Sequence, residues 1–128
     1  MLGCERDSLV DCSCPAPPNE FEINVAYKKT VYGYQCCDKQ IAIRFANLMQ
    51  DSRCPINATC VWQGTSIIGV SLNDNEKDII PLEINKPVQR EIMDGLWNIE
   101  LTELAPHPVL DQATNPNDYL AKIHFKRN

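Results

Sequence analysis

The residues of this chain best equipped for chemistry are its seven cysteines in 128 residues. They are Cys4, Cys12, Cys14, Cys36, Cys37, Cys54 and Cys60. Sulfur at this density serves as disulfides, as thiolate metal ligands or as redox thiols. Cys54 and Cys60 flank Pro55-Ile56-Asn57-Ala58-Thr59, a loop that one bridge can close. Closing so short a loop contributes about 2–3 kcal/mol and fixes its shape. Cys12-Ser13-Cys14 and Cys36-Cys37 are two close pairs, and two parallel bridges would join them. Adjacent Cys36 and Cys37 rarely bond each other, because the small ring strains the peptide. Three disulfides are therefore expected, with their connectivity open. The alternative is thiolate metal binding: Cys12, Cys14, Cys36 and Cys37 offer enough sulfur for zinc or Cu(I). Zinc sites normally use Cys-x2-4-Cys knuckles, which this chain lacks. Cys12-Ser13-Cys14 has no following helix to lower a thiol pKa, so a redox site ranks last. No metal and no cofactor are expected.

Other side chains offer less. Lys and Arg number 12 against 17 Asp and Glu, a net charge of -5 with no basic run. That excludes the electrostatic footprint of a nucleic-acid binder. No Gly-rich phosphate loop, Ser elbow or His-Glu-x-x-His motif occurs. His107, between Pro106 and Pro108, and His124, on the polar face of a strand pattern, read as solvated residues. Asn73-Asp74-Asn75-Glu76-Lys77-Asp78 lacks the Gly and closing Glu of a calcium loop and reads as a charged turn. The chain is expected not to be an enzyme.

Cys4 makes the thiol count odd, and an odd cysteine in an exported chain needs a use. Leu2-Gly3-Cys4 resembles the end of a bacterial lipobox, in which the cysteine carries lipid. The stretch that follows, from Glu5 to Asn19, is polar and Pro-rich, without helical or strand period, and reads as a disordered tether. The expected division is a lipobox remnant and tether over 1–20 and one domain over 21–128. The partner implied is a membrane, reached through the lipid at Cys4.

Strands must position whatever the domain presents. Residues 21–27, 30–36, 40–48, 61–72, 78–84, 96–104 and 119–126 alternate apolar and polar and are rich in β-branched and aromatic types. Turn signals separate them at Asn73-Asp74-Asn75, Asn85-Lys86-Pro87, Asp94-Gly95 and Asn115-Pro116-Asn117. Pro81 marks an edge strand or a bulge. No helical period and no run of about 18 apolar residues is present. The expected fold is all-β: an antiparallel β-sandwich, immunoglobulin-like or similar, of about seven to eight strands.

The most specific stretch runs from Asp51 to Gly64: Asp51-Ser52-Arg53-Cys54-Pro55, then Cys60-Val61-Trp62-Gln63-Gly64. It resembles the Asp-Ser-Arg-Cys-Pro…Cys-x-Trp-x-Gly signature of a family of small bacterial exported proteins, many of them lipoproteins. Leu101-Thr102-Glu103-Leu104-Ala105-Pro106-His107-Pro108 and Asp118-Tyr119-Leu120-Ala121 look like that family too, so the resemblance covers about residues 22–126. It implies a small β-sandwich in the cell envelope and no particular reaction. Cys12, Cys14, Cys36 and Cys37 lie outside the signature. Physically, Arg53 is a fork suited to Asp51 or to loop carbonyls. Trp62 is expected under the Cys54–Cys60 bridge, filling the core. The functional alternative makes Arg53, Pro55, Ile56 and Asn57 a recognition tip. The resulting expectation is an outer-membrane lipoprotein facing periplasm or cell surface, with a binding or structural role. Blocking an exported or extracellular protein through the Cys54–Cys60 loop is the alternative.

Overall fold

The computed structural model describes residues 14–37, 39–93 and 95–128. Cys4, Cys12 and most of the tether lie outside the described residues. The described residues form eight strands, β1 (Glu20–Ala26), β2 (Thr30–Cys36), β3 (Lys39–Asp51), β4 (Ser66–Leu72), β5 (Ile80–Glu83), β6 (Val88–Ile92), β7 (Gly95–Ala105) and β8 (Leu120–Arg127). They build two antiparallel four-stranded sheets, β1-β8-β7-β6 and β2-β3-β4-β5. The expected all-β sandwich is what the chain adopts. Its strands follow one another around the cross-section, and β8 closes back on β1 from Glu20↔Lys126 to Ala26↔Leu120.

Alternation drives this arrangement. Ile41, Ile43 and Phe45 of β3, with Ile68 and Val70 of β4, face Trp97, Ile99 and Leu101 of β7 and Ile123 and Phe125 of β8 across a buried core. The core tryptophan is Trp97. Phe21 meets it edge-on at 5.5 Å and stacks on Phe125 at 4.7 Å. Gly33 on β2 is required here: a Cβ would sit 2.2 Å from the Phe21 ring. Pro81 lies on β5, which among the described residues is an edge strand beside β4, a place that suits a residue without an N–H.

The two sheets are joined where the chain crosses between them. At one crossing the Lys28 N–H donates to the Phe45 carbonyl at 2.8 Å. At the other the Asn85 N–H donates to the Leu101 carbonyl at 2.9 Å. The described part of the tether is fastened rather than free. Cys14 is bonded to Cys36, the Tyr34 hydroxyl donates to the Pro15 carbonyl at 2.5 Å, and the Arg127 N–H donates to the Asn19 carbonyl at 2.7 Å. This end of the sandwich is the tether pole. The connections β3–β4 and β7–β8 lie at the opposite end, the loop pole.

Candidate functional site

The loop from Ser52 to Thr65 leaves β3 and returns into β4. Its neck continues the ladder: the Ser52 N–H donates to the Thr65 carbonyl at 2.7 Å, and the Thr65 N–H donates to Ser52 Oγ at 3.1 Å. Gly64 turns the chain at φ 73°, where a Cβ would lie 1.9 Å from the Ser52 carbonyl oxygen. Cys54 and Cys60 are bonded, as the spacing implied, with Cα atoms 6.0 Å apart. The Ala58 N–H folds back onto the Pro55 carbonyl inside the bridge.

Arg53 faces inward. Its Nε and Nη2 donate to the two Asp51 carboxylate oxygens at 2.7 and 2.9 Å. Nη1 donates to the Leu104 carbonyl at 2.6 Å and Nη2 to the Pro106 carbonyl at 3.1 Å. The side chains of Arg53 and Asp51 are 8% and 10% exposed, so this pair joins β3 to the end of β7 from within. The Tyr119 hydroxyl donates to Asp51 Oδ2 at 2.8 Å. Burial works against the Asp51 charge, but the Arg53 and Tyr119 hydrogen bonds overcome it and hold the carboxyl below its ordinary value. Burial and the same Asp51 contact raise Tyr119. As a tip residue Arg53 is corrected by this geometry: a fork so committed holds the loop and does not reach outward.

A second loop, from Pro106 to Tyr119, is fastened to the first. It opens with a cis Ala105–Pro106 peptide. His107 Nε2 lies 2.8 Å from the Cys54 carbonyl; a carbonyl only accepts, so Nε2 carries the proton. The Ile56 N–H donates to the Pro108 carbonyl at 3.0 Å, and the Leu110 N–H to Asn57 Oδ1 at 2.7 Å. His107 is a surface residue, as expected, and its ring also clamps the two loops together. Asn57 likewise spends its side-chain oxygen on the neighbouring loop. Pro55 is half-buried. Of the four expected tip residues, Ile56 and Asn57 are exposed, Ile56 at 68%, and of these two only Asn57 is tied to the neighbouring loop by its side chain.

Trp62 is the main correction. It was expected beneath the bridge and is instead 69% exposed, next to Val61 at 92%. The reason is where β4 begins. The apolar alternation suggested a strand from residue 61, but pairing starts at Asp51↔Ser66, so Val61–Thr65 belong to the loop. The core place is taken by Trp97. Leu110, on the second loop, is also exposed. The loop pole therefore carries Ile56, Val61, Trp62 and Leu110 on two loops tied to each other. Beside them a cavity of about 450 Å³ is lined by residues that include Arg53, Gln63, Ile84 and Leu104.

At the tether pole the sulfurs of Cys14, Cys36 and Cys37 lie within 4.8 Å of one another. Cys14 and Cys36 are bonded, and Cys37, on the β2–β3 turn, is disulfide-bonded as well. The expected staple between tether and sheet is thus formed at Cys14–Cys36. Sulfurs held in disulfides supply no thiolate to a metal. His124, on the outer face of β8, faces Glu20 with Nε2 at 2.5 Å from Oε2. No protein-family model, curated protein or solved structure matches the chain.

Proposed function

We propose that this chain is an exported, lipid-anchored protein of the bacterial cell envelope that works by non-catalytic binding, and that it engages a partner protein through the loop pole. One observation carries the reading: Trp62 and Val61 stand in solvent on a loop closed by Cys54–Cys60 and clamped to its neighbour. An exposed aromatic on a pre-ordered loop loses little entropy on binding, and such residues anchor protein interfaces. Disulfides support export, since they persist in oxidising compartments. Leu2-Gly3-Cys4, the Pro-rich stretch after it and the resemblance of Asp51–Gly64 to small exported proteins support the anchor. The polarity of the sandwich supports the arrangement: a domain held by its tether presents the opposite loops to whatever lies beyond. The alternative form of this role has the bridged loop act as a wedge on an exported enzyme, such as a protease.

The test is capture from envelope extract by the purified chain and by Trp62→Ala and Val61→Ser variants. Loss of a captured protein, with melting unchanged, is the expected result. Capture that survives both changes overturns the assignment of the pole. Thiolate metal binding is the alternative reading, and it requires Cys12, Cys14, Cys36 and Cys37 in reduced form, since the sulfurs clustered here are held in disulfides. A thiol titration of the denatured, unreduced chain tests it: four or more free thiols would favour it, and one or none would remove it.

A further inference from the structure

Strand β7 outruns the strand beside it. β6 meets β7 only from Val88↔Ile99 to Ile92↔Gly95, whereas β8 accompanies β7 as far as Ala105↔Leu120. The crossing chain takes the Leu101 carbonyl through the Asn85 N–H. Beyond it, among the described residues, Thr102 to Ala105 have no strand on the side facing away from β8. The Leu104 carbonyl is reached on that side by Arg53 Nη1 at 2.6 Å. A strand residue directs its N–H and carbonyl to the same neighbour, so the Leu104 N–H is on the open side too. An unpaired edge of this kind is a template for another chain.

The cavity of about 450 Å³ runs along this edge. Thr102, Glu103, Leu104 and Ala105 all line it, together with Gln63 and Gly64 of the bridged loop. A strand of that length spans about 13 Å. The lining charges are already balanced: Arg53 by Asp51 at 2.7 Å, and Glu103 by Lys122 at 3.3 Å. A charged ligand would find no free counter-charge there, whereas an extended peptide would find the Leu104 N–H as a donor and the Leu104 carbonyl, already accepting from Arg53, as a shared acceptor.

We propose that this slot receives an extended, uncharged peptide segment of the partner protein as an added strand on β7, with one apolar side chain against Ile84 and Leu104. The proposal rests on the reading of the loop pole as a binding surface and names what that surface takes: Trp62 and its neighbours form the rim, and the β7 edge supplies the hydrogen bonds.

The probe is a phage-displayed library of linear heptapeptides, selected on the whole disulfide-bonded chain. The selected peptide is then synthesised with and without N-methylation of its central amides. Selected sequences are expected to be uncharged at their centre with one aliphatic or aromatic residue, and to slow hydrogen exchange at Leu104. N-methylation should weaken binding by about tenfold or more, because a methylated amide cannot join a ladder. Ala105→Phe, which fills the slot, and Gln63→Trp, which obstructs it from an exposed position, should each do the same at unchanged melting temperature. Glu22→Gln, on the outer face of β1, should do nothing. An N-methylated peptide that binds equally well, exchange protection confined to the 56–62 loop, or selection of no peptide overturns the proposal. So does a dimer that Ala105→Phe dissolves, since a second copy would then be the occupant. If Trp62-dependent capture persists while these fail, the slot alone is overturned. If the peptide binds the slot but Trp62-dependent capture is absent, the broader reading falls instead.

Discussion

Burial opposes the charge on Asp51, and the hydrogen bonds from Arg53 and Tyr119 more than offset it, so the folded carboxyl titrates below its unfolded value. The linkage has one sign. The stabilisation is fully present above the ordinary carboxylate pKa of about 4 and is lost as pH falls through the lower folded value. Asp51→Asn leaves the Arg53 guanidinium buried without its counter-charge, which costs about 3 kcal/mol or more. In urea unfolding, the gap between parent and variant should be widest at neutral pH and narrow in acid; a gap independent of pH would contradict this role. The two tryptophans should part company as well. Trp97→Ala opens the core and should cost about 3–5 kcal/mol. Trp62→Ala removes an exposed side chain and should stay within about 0.5 kcal/mol. Equal losses in thermal melting would place Trp62 back in the core. The fork of Arg53 onto Asp51 was legible in the sequence, because both residue types and their spacing suit a bidentate pair. The inward fate of Arg53 was not, since its other acceptors, Leu104 and Pro106, are distant in sequence and meet it only through the fold.

Strand by strand, legibility followed burial on one face. β2 occupies the residues its alternation marked, Thr30–Cys36, and β8 departs from its pattern by a single residue at each end. β6 was missed: Val88 and Ile92 point inward, but Arg90 takes the position between them and breaks the apolar pattern. The tract before β4 misled in the opposite direction, because Val61 and Trp62 carry strand-like side chains in a loop whose shape comes from the bridge and from Gly64. The clamps between the two loops are a backbone bond and side-chain contacts of His107 and Asn57, with no sequence period at all. They predict how the bridge behaves. Replacing both Cys54 and Cys60 by Ser should cost only about 2 kcal/mol, the entropy of a short closed loop. The His107 and Leu110 hydrogen bonds should keep the loop in place. Adding His107→Ala to that pair should cost more than the separate losses sum to, since both hold one element. Strict additivity in denaturant melts would show that the loops are independent.

At the scale of the molecule, the sandwich has two unlike ends. Cys14–Cys36 fixes the incoming tether at one end, and the loops bearing Ile56, Val61, Trp62 and Leu110 occupy the other. The proposed lipid at Cys4 would act through the first end, where the described part of the tether is fastened. Cys4→Ser in the full precursor should move the protein from membrane to soluble fraction, and unchanged fractionation would remove the lipid from the account. The working surface belongs to the second, and it is the central claim. A photo-crosslinking amino acid placed at position 62 in cells, with position 22 on the outer face of β1 as reference, tests it most directly. The account predicts a discrete adduct with one envelope protein from position 62 and none from position 22. Adducts from position 22 alone, or the same adducts from both, would contradict it.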